Sequence, residues 1–309
     1  MNIERKITRR SASKLLALSA SSFLIDPLFT FQKNKFMNHR RVPSSNEKIP
    51  VIGLGTWQTF DVGNSNAERE PLKEVLKILV ENGGSVIDSS PMYGRSEKVV
   101  GDLTAELQIK EKIFAATKVW TTGKEEGINQ MNSSLKVMQV NPMDLMQIHN
   151  LVDWKTQLKT LRKWKEEKKI RYIGITHYHK GGYAELEKIV RNEPIDFVQI
   201  NYNIAVQDAS ERILPLAKDK GVAVLINRPF EGGSLFRIVK NKTLPVWANE
   251  FDAKTWGQFF LKFILANSAV TCVIPGTSKA KHMLDNVKAG FGKLPTIEHQ
   301  RQMVKLILS

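Results

Sequence analysis

Short apolar segments alternate with amphipathic segments along the chain from Ile49 onward. Eight apolar segments are rich in Val, Ile and Leu, and their length and composition are typical of strands buried on both faces of a parallel sheet. In chain order they read PVIGLGTW, SVIDSS, IFAATKVW, MDLMQIHN, IRYIGIT, IDFVQINYN, VAVLINRPF and VTCVIPGT. The pattern therefore predicts eight strands separated by other elements.

The intervening segments have the spacing of amphipathic helices. Segment 69–81 repeats apolar residues every three or four positions, and segment 158–168 carries Lys, Arg and Glu on its outer face. Gly83 and Gly221 follow two such segments, where a helix commonly ends. Eight strand–helix units predict a single-domain α/β fold, the closed (β/α)8 TIM barrel. A doubly wound sheet is the alternative, but the turn GLGTWQ lacks the GxGxxG pattern that it would require.

The length of 309 residues suits one such barrel, which needs about 250 residues. Hydrophobic residues make up 42% of the chain, and no stretch reaches the roughly 20 apolar residues of a membrane-spanning helix. The net charge is +15, of which the first 48 residues contribute ten Lys or Arg against three Asp or Glu. No nucleic-acid-binding motif is present, so we expect no nucleic-acid partner. A single cysteine, Cys272, excludes an intrachain disulfide.

The N-terminal segment differs in character from the rest of the chain. Arg9 and Arg10 lie in TRRSASK, directly before the weakly apolar stretch LLALSASSFLI, and this order resembles a bacterial twin-arginine export signal. We therefore predict a signal peptide at 1–30, a linker at 31–48 and the barrel at 49–309. Export would place the protein in the periplasm, without stable membrane association afterwards. The alternative is a basic tail on a cytoplasmic protein.

Four polar residues follow the apolar runs where a barrel of this kind places its chemistry, at the carboxyl ends of its strands. Asp88 ends the second run, Lys118 ends the third and His149 ends the fourth, while Tyr93 follows Asp88 by five residues. Reduction of a carbonyl requires a hydride on carbon and a proton on oxygen. A phenol with a pKa near 10 is a weak proton donor unless its surroundings tune it.

The other three residue types supply that tuning. A nearby lysine ammonium favours the phenolate, so Lys118 should lower the pKa of Tyr93. A buried ammonium requires a counter-charge, which Asp88 can provide. His149 can donate a hydrogen bond to the substrate oxygen and stabilise the charge that develops there. The set is suited to reducing a small carbonyl compound, or to oxidising its alcohol, with a cofactor that exchanges hydride.

The chain resembles the aldo-keto reductase superfamily over residues 49–290. The segments GLGTW, VIDSSPMYG, TKVW, QIHN, VQINYN and IPGTSKAKHMLDN carry the resemblance, in this order. The resemblance implies an NAD(P)H-dependent oxidoreductase whose catalytic tetrad is Asp88, Tyr93, Lys118 and His149. Some members of this superfamily are channel-associated or structural proteins, so a non-enzymatic or regulatory role is the alternative.

The resemblance also implies a cofactor site along the same rim of the barrel. Gln199 would bind the nicotinamide carboxamide, backbone N–H groups of 276–278 would receive a phosphate, and Asp285 and Asn286 would contact adenine. The complete implied set is Gly55, Thr56, Thr176, His177, Gln199, Asn227, Arg228, Pro229, Phe230, Gly276, Thr277, Ser278, His282, Asp285 and Asn286.

Four of these positions depart from the family pattern. His177 replaces an Asn that helps to hold the carboxamide, and Asn227 replaces an aromatic residue that stacks on nicotinamide. Gly276 and His282 replace a Lys and an Arg that grip the 2′-phosphate of NADP. Lys279 and Lys281 are cations that could substitute for them, so NADP is favoured, with NAD as the alternative.

Trp57 and Trp120 directly follow rim motifs, where the family places substrate-contacting residues. Packing at the barrel mouth is the alternative role for both. His177 and His179 form an HxH pair, but two histidines without a third ligand nearby in sequence do not predict a metal site. The sequence leaves the substrate and the oligomeric state open.

Overall fold

The strands of the molecule form a barrel and a separate hairpin. The computed structural model describes residues 36–309, so the predicted signal at 1–30 and the start of the predicted linker lie outside the described residues. The hairpin pairs β1 with β2 in antiparallel fashion, and β3 to β10 form one parallel sheet in sequential order. The strands are β1 His39–Arg41, β2 Lys48–Pro50, β3 Leu54–Gly55, β4 Val86–Asp88, β5 Phe114–Val119, β6 Met143–His149, β7 Ile170–Thr176, β8 Phe197–Asn201, β9 Ala223–Asn227 and β10 Cys272–Val273.

Parallel bridges close the sheet between its first and last strands. Ile52 pairs with Val273, and Gly55 pairs with Gly276. Each of these bridges joins β3 or its flank to β10 or its flank, which turns the sequential sheet into a barrel. The predicted (β/α)8 fold is therefore confirmed.

Helices follow the barrel strands and cover the outside of the sheet. The helix predicted at 69–81 begins slightly earlier, at Asn66, and the one predicted at 158–168 lies slightly earlier along the chain. The α-helices are α1 Asn66–Glu81, α2 Ser96–Glu106, α3 Lys124–Met138, α4 Trp154–Glu166, α5 Tyr183–Asn192, α6 Asp208–Glu211, α7 Ile213–Lys220, α8 Ser234–Ile238, α9 Trp256–Leu265, α10 Ala280–Lys288 and α11 Ile297–Leu308. Short 3₁₀ turns occupy Lys110–Lys112, Lys180–Gly182, Glu231–Gly233 and Val246–Phe251. Within residues 36–309, no helix combines the length and the apolar character needed to cross a membrane.

The barrel interior changes from apolar to polar along β5. On β5, Phe114, Ala116 and Lys118 share one face because side chains alternate along a strand. Phe114 and Ala116 belong to the apolar cluster inside the barrel, which also includes Leu145, Tyr172 and Phe197. Lys118 lies two residues after Ala116, nearer the carboxyl end of the strand, and is polar. The apolar layers thus fill the lower barrel and leave the carboxyl ends of the strands for polar groups.

The β1–β2 hairpin differs from the sequence prediction, which assigned 31–48 to a linker. From His39 onward this segment is paired, with Arg40 opposite Ile49. Val42 and Ile49 are buried in the cluster that fills the barrel interior. The strands have only three residues each, too few to show the alternation that predicts a strand.

Arg40 fastens this hairpin to the body of the barrel. Its guanidinium donates to the carbonyl of Asn267 at 2.8 Å and to the carbonyls of Leu265 and Val270. These carbonyls lie at the end of α9 and in the turn before β10, where a helix leaves its last carbonyls without partners. A single side chain therefore joins the hairpin, the end of α9 and the turn before β10.

We expect Arg40→Ala to lower the free energy of unfolding by about 2–3 kcal/mol, because partly buried carbonyls lose charged hydrogen-bond donors. Urea unfolding followed by circular dichroism measures the change. Arg41→Ala is the matched control, because Arg41 is the exposed neighbour on the same strand, and it should change stability by less than about 0.5 kcal/mol. Equal effects of the two substitutions would contradict this role of Arg40.

Candidate active site

Three adjacent strands bring the predicted tetrad together. Asp88 is the last residue of β4, Lys118 lies near the end of β5 and His149 is the last residue of β6, while Tyr93 lies in the turn after β4. Asp88, Lys118 and His149 are buried, whereas Tyr93 is partly exposed at the mouth. Because β4, β5 and β6 are parallel neighbours, their carboxyl ends meet at one rim, as the sequence predicted.

An ion pair forms the base of the site. Lys118 Nζ lies 2.6 Å from Asp88 Oδ2 and also donates to the Ser89 carbonyl at 2.6 Å. The lysine is fully buried, which by itself would lower its pKa. The Asp88 carboxylate and Tyr93 together outweigh this effect and hold the pKa of Lys118 above its ordinary value. Lys118 is therefore a fixed cation.

Two buried glutamines hold the other oxygen of the carboxylate. Gln147 Nε2 and Gln199 Nε2 each donate to Asp88 Oδ1 at 2.9 Å, and Gln199 Nε2 also donates to Gln147 Oε1 at 3.1 Å. Hydrogen bonds to a carboxylate stabilise its charged form. Sequence reasoning missed Gln147, although its position two residues before His149 on β6 places both side chains on one face of the strand.

The Tyr93 ring lies close to both the cation and the histidine. Lys118 Nζ is 5.0 Å from the centroid of the Tyr93 ring, and the Tyr93 and His149 rings meet edge to face with centroids 5.8 Å apart. Burial raises the pKa of Tyr93 above its ordinary value, and Lys118 lowers it but does not overcome the burial. The sequence predicted that Lys118 would lower the pKa of Tyr93, and this prediction was wrong for the net shift, which is upward. The phenol is protonated, the form that a proton donor requires.

His149 is neutral at ordinary pH. Burial and the neighbouring Lys118 cation lower the pKa of His149 to about 3. Its Nδ1 lies 3.1 Å from Ser90 Oγ. When Ser90 donates to Nδ1, the ring proton is on Nε2, which is then the donor available to a ligand. Ser90 was not among the predicted site residues, although it follows Asp88 by two positions in the same motif.

The predicted nicotinamide-binding residues form a second group on β7, β8 and β9. Thr176 Oγ1 donates to Gln199 Oε1 at 3.2 Å, and Asn227 Nδ2 approaches the same oxygen at 3.3 Å. Asn227 Nδ2 also lies 3.3 Å from the His177 carbonyl. Through Gln199 this group is joined to Asp88, so the tetrad and the implied cofactor site share one hydrogen-bond network.

The loop after β9 carries Arg228, Pro229 and Phe230. Arg228 has φ 48°, in the left-handed region, and its Nη2 donates to Glu231 Oε1 at 2.5 Å. Phe230 packs against Phe236, with ring centroids 4.9 Å apart. Within residues 36–309, Asn227 Oδ1 and Arg228 Nε are buried and have no hydrogen-bond partner. Two polar atoms in adjacent residues at this rim are thus available to a bound ligand.

The predicted adenine and phosphate residues lie at the end of β10 and in α10. Gly276 and His282 are exposed, Ser278 is partly exposed, and Thr277 and Asn286 are buried. Gly55 lies opposite Gly276, and Thr56 beside it donates to the Asp88 carbonyl, so Thr56 supports the tetrad from below.

Asp285 has a structural role that the sequence did not indicate. Its carboxylate accepts hydrogen bonds from Thr255 Oγ1 at 2.8 Å and from Gln258 Nε2 at 2.7 Å, which anchors the start of α9 to α10. Each oxygen of Asp285 thus has one partner within the protein, and the predicted contact with adenine stays a prediction.

The two predicted substrate residues are exposed, and Trp120 lies close to the tetrad. Trp120 is 42% exposed, and its ring centroid is 6.3 Å from that of His149. Trp57 is 49% exposed. The rings of His177 and His179 lie 4.4 Å apart. In the described part of the chain, no group of three or more potential ligands could hold a metal ion.

The depressed pKa of His149 predicts a pH dependence of stability. An unfolded chain binds a proton on this histidine below a pH of about 6.5, whereas the folded protein does not until a pH of about 3. Between these limits acidification favours unfolding, by about 1 kcal/mol per pH unit. His149→Gln lacks this titration, so its free energy of unfolding should fall less steeply than that of the wild type. Urea unfolding at several pH values measures both slopes, and parallel slopes would contradict a neutral buried His149.

Comparisons with known proteins agree with this geometry. Residues 51–304 match the model of the aldo/keto reductase family. The chain is 24% identical to the aldo-keto reductase YhdN of Bacillus subtilis (strain 168), over 62% of this chain and 61% of that protein, so less than two thirds of that relative is spanned. It is also 24% identical to the methylglyoxal reductase YeaE of Escherichia coli (strain K12), over 79% of this chain and 86% of that protein.

A solved structure shows the same fold. The aldo/keto reductase from Klebsiella pneumoniae in complex with NADP and acetate superimposes with a TM-score of 0.72 at 21% identity, covering 89% of this chain and 95% of that one. At this identity the likeness concerns the fold. The family match spans most of the barrel and includes all four residues that converge at its mouth, and on this evidence the chain belongs to the aldo/keto reductase family.

Proposed function

We propose that this protein is an NADPH-dependent reductase of small aldehydes or ketones that can also oxidise the corresponding alcohols. The observation that carries the proposal is the meeting of Asp88, Tyr93, Lys118 and His149 at one rim, with Lys118 fixed as a cation beside a protonated Tyr93. Family membership and the similarity to a methylglyoxal reductase support it.

Each residue of the tetrad has a distinct task in this proposal. Bound NADPH supplies the hydride. Tyr93 donates its hydroxyl proton to the carbonyl oxygen, and Lys118 stabilises the phenolate that is left behind. Asp88 keeps Lys118 charged and in place. Neutral His149 donates a hydrogen bond from Nε2 to the substrate oxygen, so that negative charge developing there is stabilised without a full cation.

The rim has groups of the kind that a dinucleotide requires. Asn227 Oδ1 and Arg228 Nε are buried without partners in the described residues, and a polar ligand would satisfy both. Thr176, His177, Gln199, Pro229 and Phe230 border this part of the proposed site. Backbone N–H groups at 276–278 would bind phosphate.

Lys279 and Lys281 favour NADP over NAD in this proposal. Partial desolvation of the His282 ring, followed by the charges of Lys281 and Lys279, lowers the pKa of His282. The two lysines therefore place positive charge at the start of α10. An additional phosphate would be attracted to this region. NAD is the alternative, because Gly276 and His282 lack the permanent charges that the family resemblance implies there.

Tyr93→Phe should abolish the reaction. Loss of the proton donor is expected to lower kcat/KM by about 10²- to 10⁴-fold, while binding of NADPH, measured by quenching of tryptophan fluorescence, persists. The assay follows oxidation of NADPH, and separately of NADH, with a panel of small carbonyl compounds.

Tyr172→Phe is the matched control for this experiment. Tyr172 lies on β7 and bonds to Ser45 at 2.7 Å and to Glu47, near the hairpin and remote from the rim, so its loss should leave activity near that of the wild type. Full activity of Tyr93→Phe would refute the mechanism. Failure of the wild type to bind either coenzyme would favour the non-enzymatic alternative.

We further propose that the protein is bacterial and is exported to the periplasm by the twin-arginine route. The support is the order of residues in TRRSASK and LLALSASSFLI, which lie outside the described residues. This route carries folded proteins, so a bound dinucleotide could accompany the chain. A cytoplasmic location with a basic tail is the alternative.

Replacement of Arg9 and Arg10 by lysine tests the location. We expect the full-length chain to reach the periplasmic fraction of a bacterial host and the double variant to stay in the cytoplasm, because the paired arginines would be the recognised feature. Fractionation followed by immunoblotting measures both. Equal distribution of the two proteins would refute export by this route.

A further inference from the structure

We propose that Asn227, and not Gln199, accepts a hydrogen bond from the N–H group of the nicotinamide carboxamide. The inference rests on the proposed function, because it assumes that a nicotinamide dinucleotide binds at this rim. It also assigns a specific contact to a position where the family resemblance implies a stacking aromatic ring. In this chain a hydrogen bond would replace that stacking contact.

Gln199 has no unused hydrogen-bonding capacity. A side-chain amide has two N–H donors and an oxygen with two lone pairs. The donors of Gln199 serve Asp88 Oδ1 at 2.9 Å and Gln147 Oε1 at 3.1 Å. Its oxygen accepts from Thr176 at 3.2 Å and from Asn227 at 3.3 Å. A carboxamide N–H directed at Gln199 Oε1 would therefore have to displace the bond from Thr176 or the bond from Asn227.

Asn227, unlike Gln199, has an acceptor oxygen that is unused within the described residues. Its Nδ2 group is directed between the His177 carbonyl and Gln199 Oε1, both at 3.3 Å, which orients the amide. Its Oδ1 atom is buried and has no partner among the residues that the structure describes. A buried acceptor without a donor is costly, and a ligand N–H would remove that cost.

The chemistry of this atom limits which part of a dinucleotide it can bind. An amide oxygen accepts hydrogen bonds, so it suits an N–H or O–H group and does not suit a phosphate oxygen. Asn227 also adjoins Gln199, which contacts Asp88 at the base of the tetrad. The reactive ring must lie close to Tyr93 for hydride and proton to reach one carbonyl. The carboxamide of that ring is thus the N–H group expected near Asn227, and the hydroxyls of the neighbouring ribose are the competing donors.

A cofactor analogue separates these two donors. Reduced 3-acetylpyridine adenine dinucleotide phosphate keeps the ribose hydroxyls and the ring carbonyl but has a methyl group in place of the carboxamide NH₂. Dissociation constants of NADPH and of this analogue are measured by tryptophan fluorescence, together with that of 2′-phospho-ADP-ribose, which lacks the nicotinamide. The wild type should bind the analogue about 10-fold more weakly than NADPH, since the buried oxygen would stay unpaired.

In Asn227→Leu the two reduced cofactors should bind equally, because the acceptor is gone. Binding of 2′-phospho-ADP-ribose should be unchanged, which shows that the fold and the rest of the site are intact. Asn227→Asp, which keeps an acceptor oxygen, should retain the discrimination between NADPH and the analogue. This second variant tests the inference even if leucine at position 227 prevents folding.

Gln199→Leu is the comparison variant. Like Asn227→Asp, it should still bind NADPH more tightly than the analogue. Loss of discrimination in Gln199→Leu and its retention in Asn227→Leu would overturn the inference and return the contact to Gln199. Equal binding of NADPH and the analogue by the wild type would overturn it as well, while leaving the proposed function intact. Absence of NADPH binding by the wild type would instead refute the proposed function and, with it, this inference.

Discussion

The buried ion pair between Lys118 and Asp88 is the interaction on which the rest of the site depends. A fully buried ammonium is costly to desolvate, and the carboxylate at 2.6 Å compensates for that cost. Loss of either charge would leave the other one buried without a partner. The pair therefore constrains β4 and β5 together, and it sets the electrostatic environment in which Tyr93 and His149 hold their protons.

The ion pair is satisfied by a network that extends across the barrel. Gln147 and Gln199 bind the second oxygen of Asp88, and Gln199 links the tetrad to Thr176 and Asn227. A buried polar network stabilises a unique arrangement when each member has its partners. In this network the unsatisfied atom lies at the outer end, where the proposed cofactor would bind. The network is thus fully hydrogen-bonded around the ion pair, and a bound ligand would supply the missing hydrogen bond at its outer end.

Electrostatic effects at this site act in opposite directions on neighbouring groups. Burial raises the pKa of Tyr93 and lowers that of His149, so both side chains are neutral and can donate a hydrogen. Lys118 remains charged because Asp88 is in contact with it. A mouth lined by neutral donors around one paired cation suits a reaction in which negative charge appears on the substrate oxygen only during the transfer.

The sequence alone indicated the barrel and the tetrad, because eight alternating strand–helix units favour one closed parallel sheet and place Asp88, Lys118 and His149 at the same ends of neighbouring strands. The sequence could not identify hydrogen-bond partners that lie far apart along the chain. Asp285 bonds to α9, Gln147 binds Asp88, and the short hairpin around Arg40 closes the base, all through contacts between residues far apart in sequence. The net pKa of Tyr93 was also decided by tertiary structure, because desolvation depends on everything packed around a group and not on its neighbours along the chain.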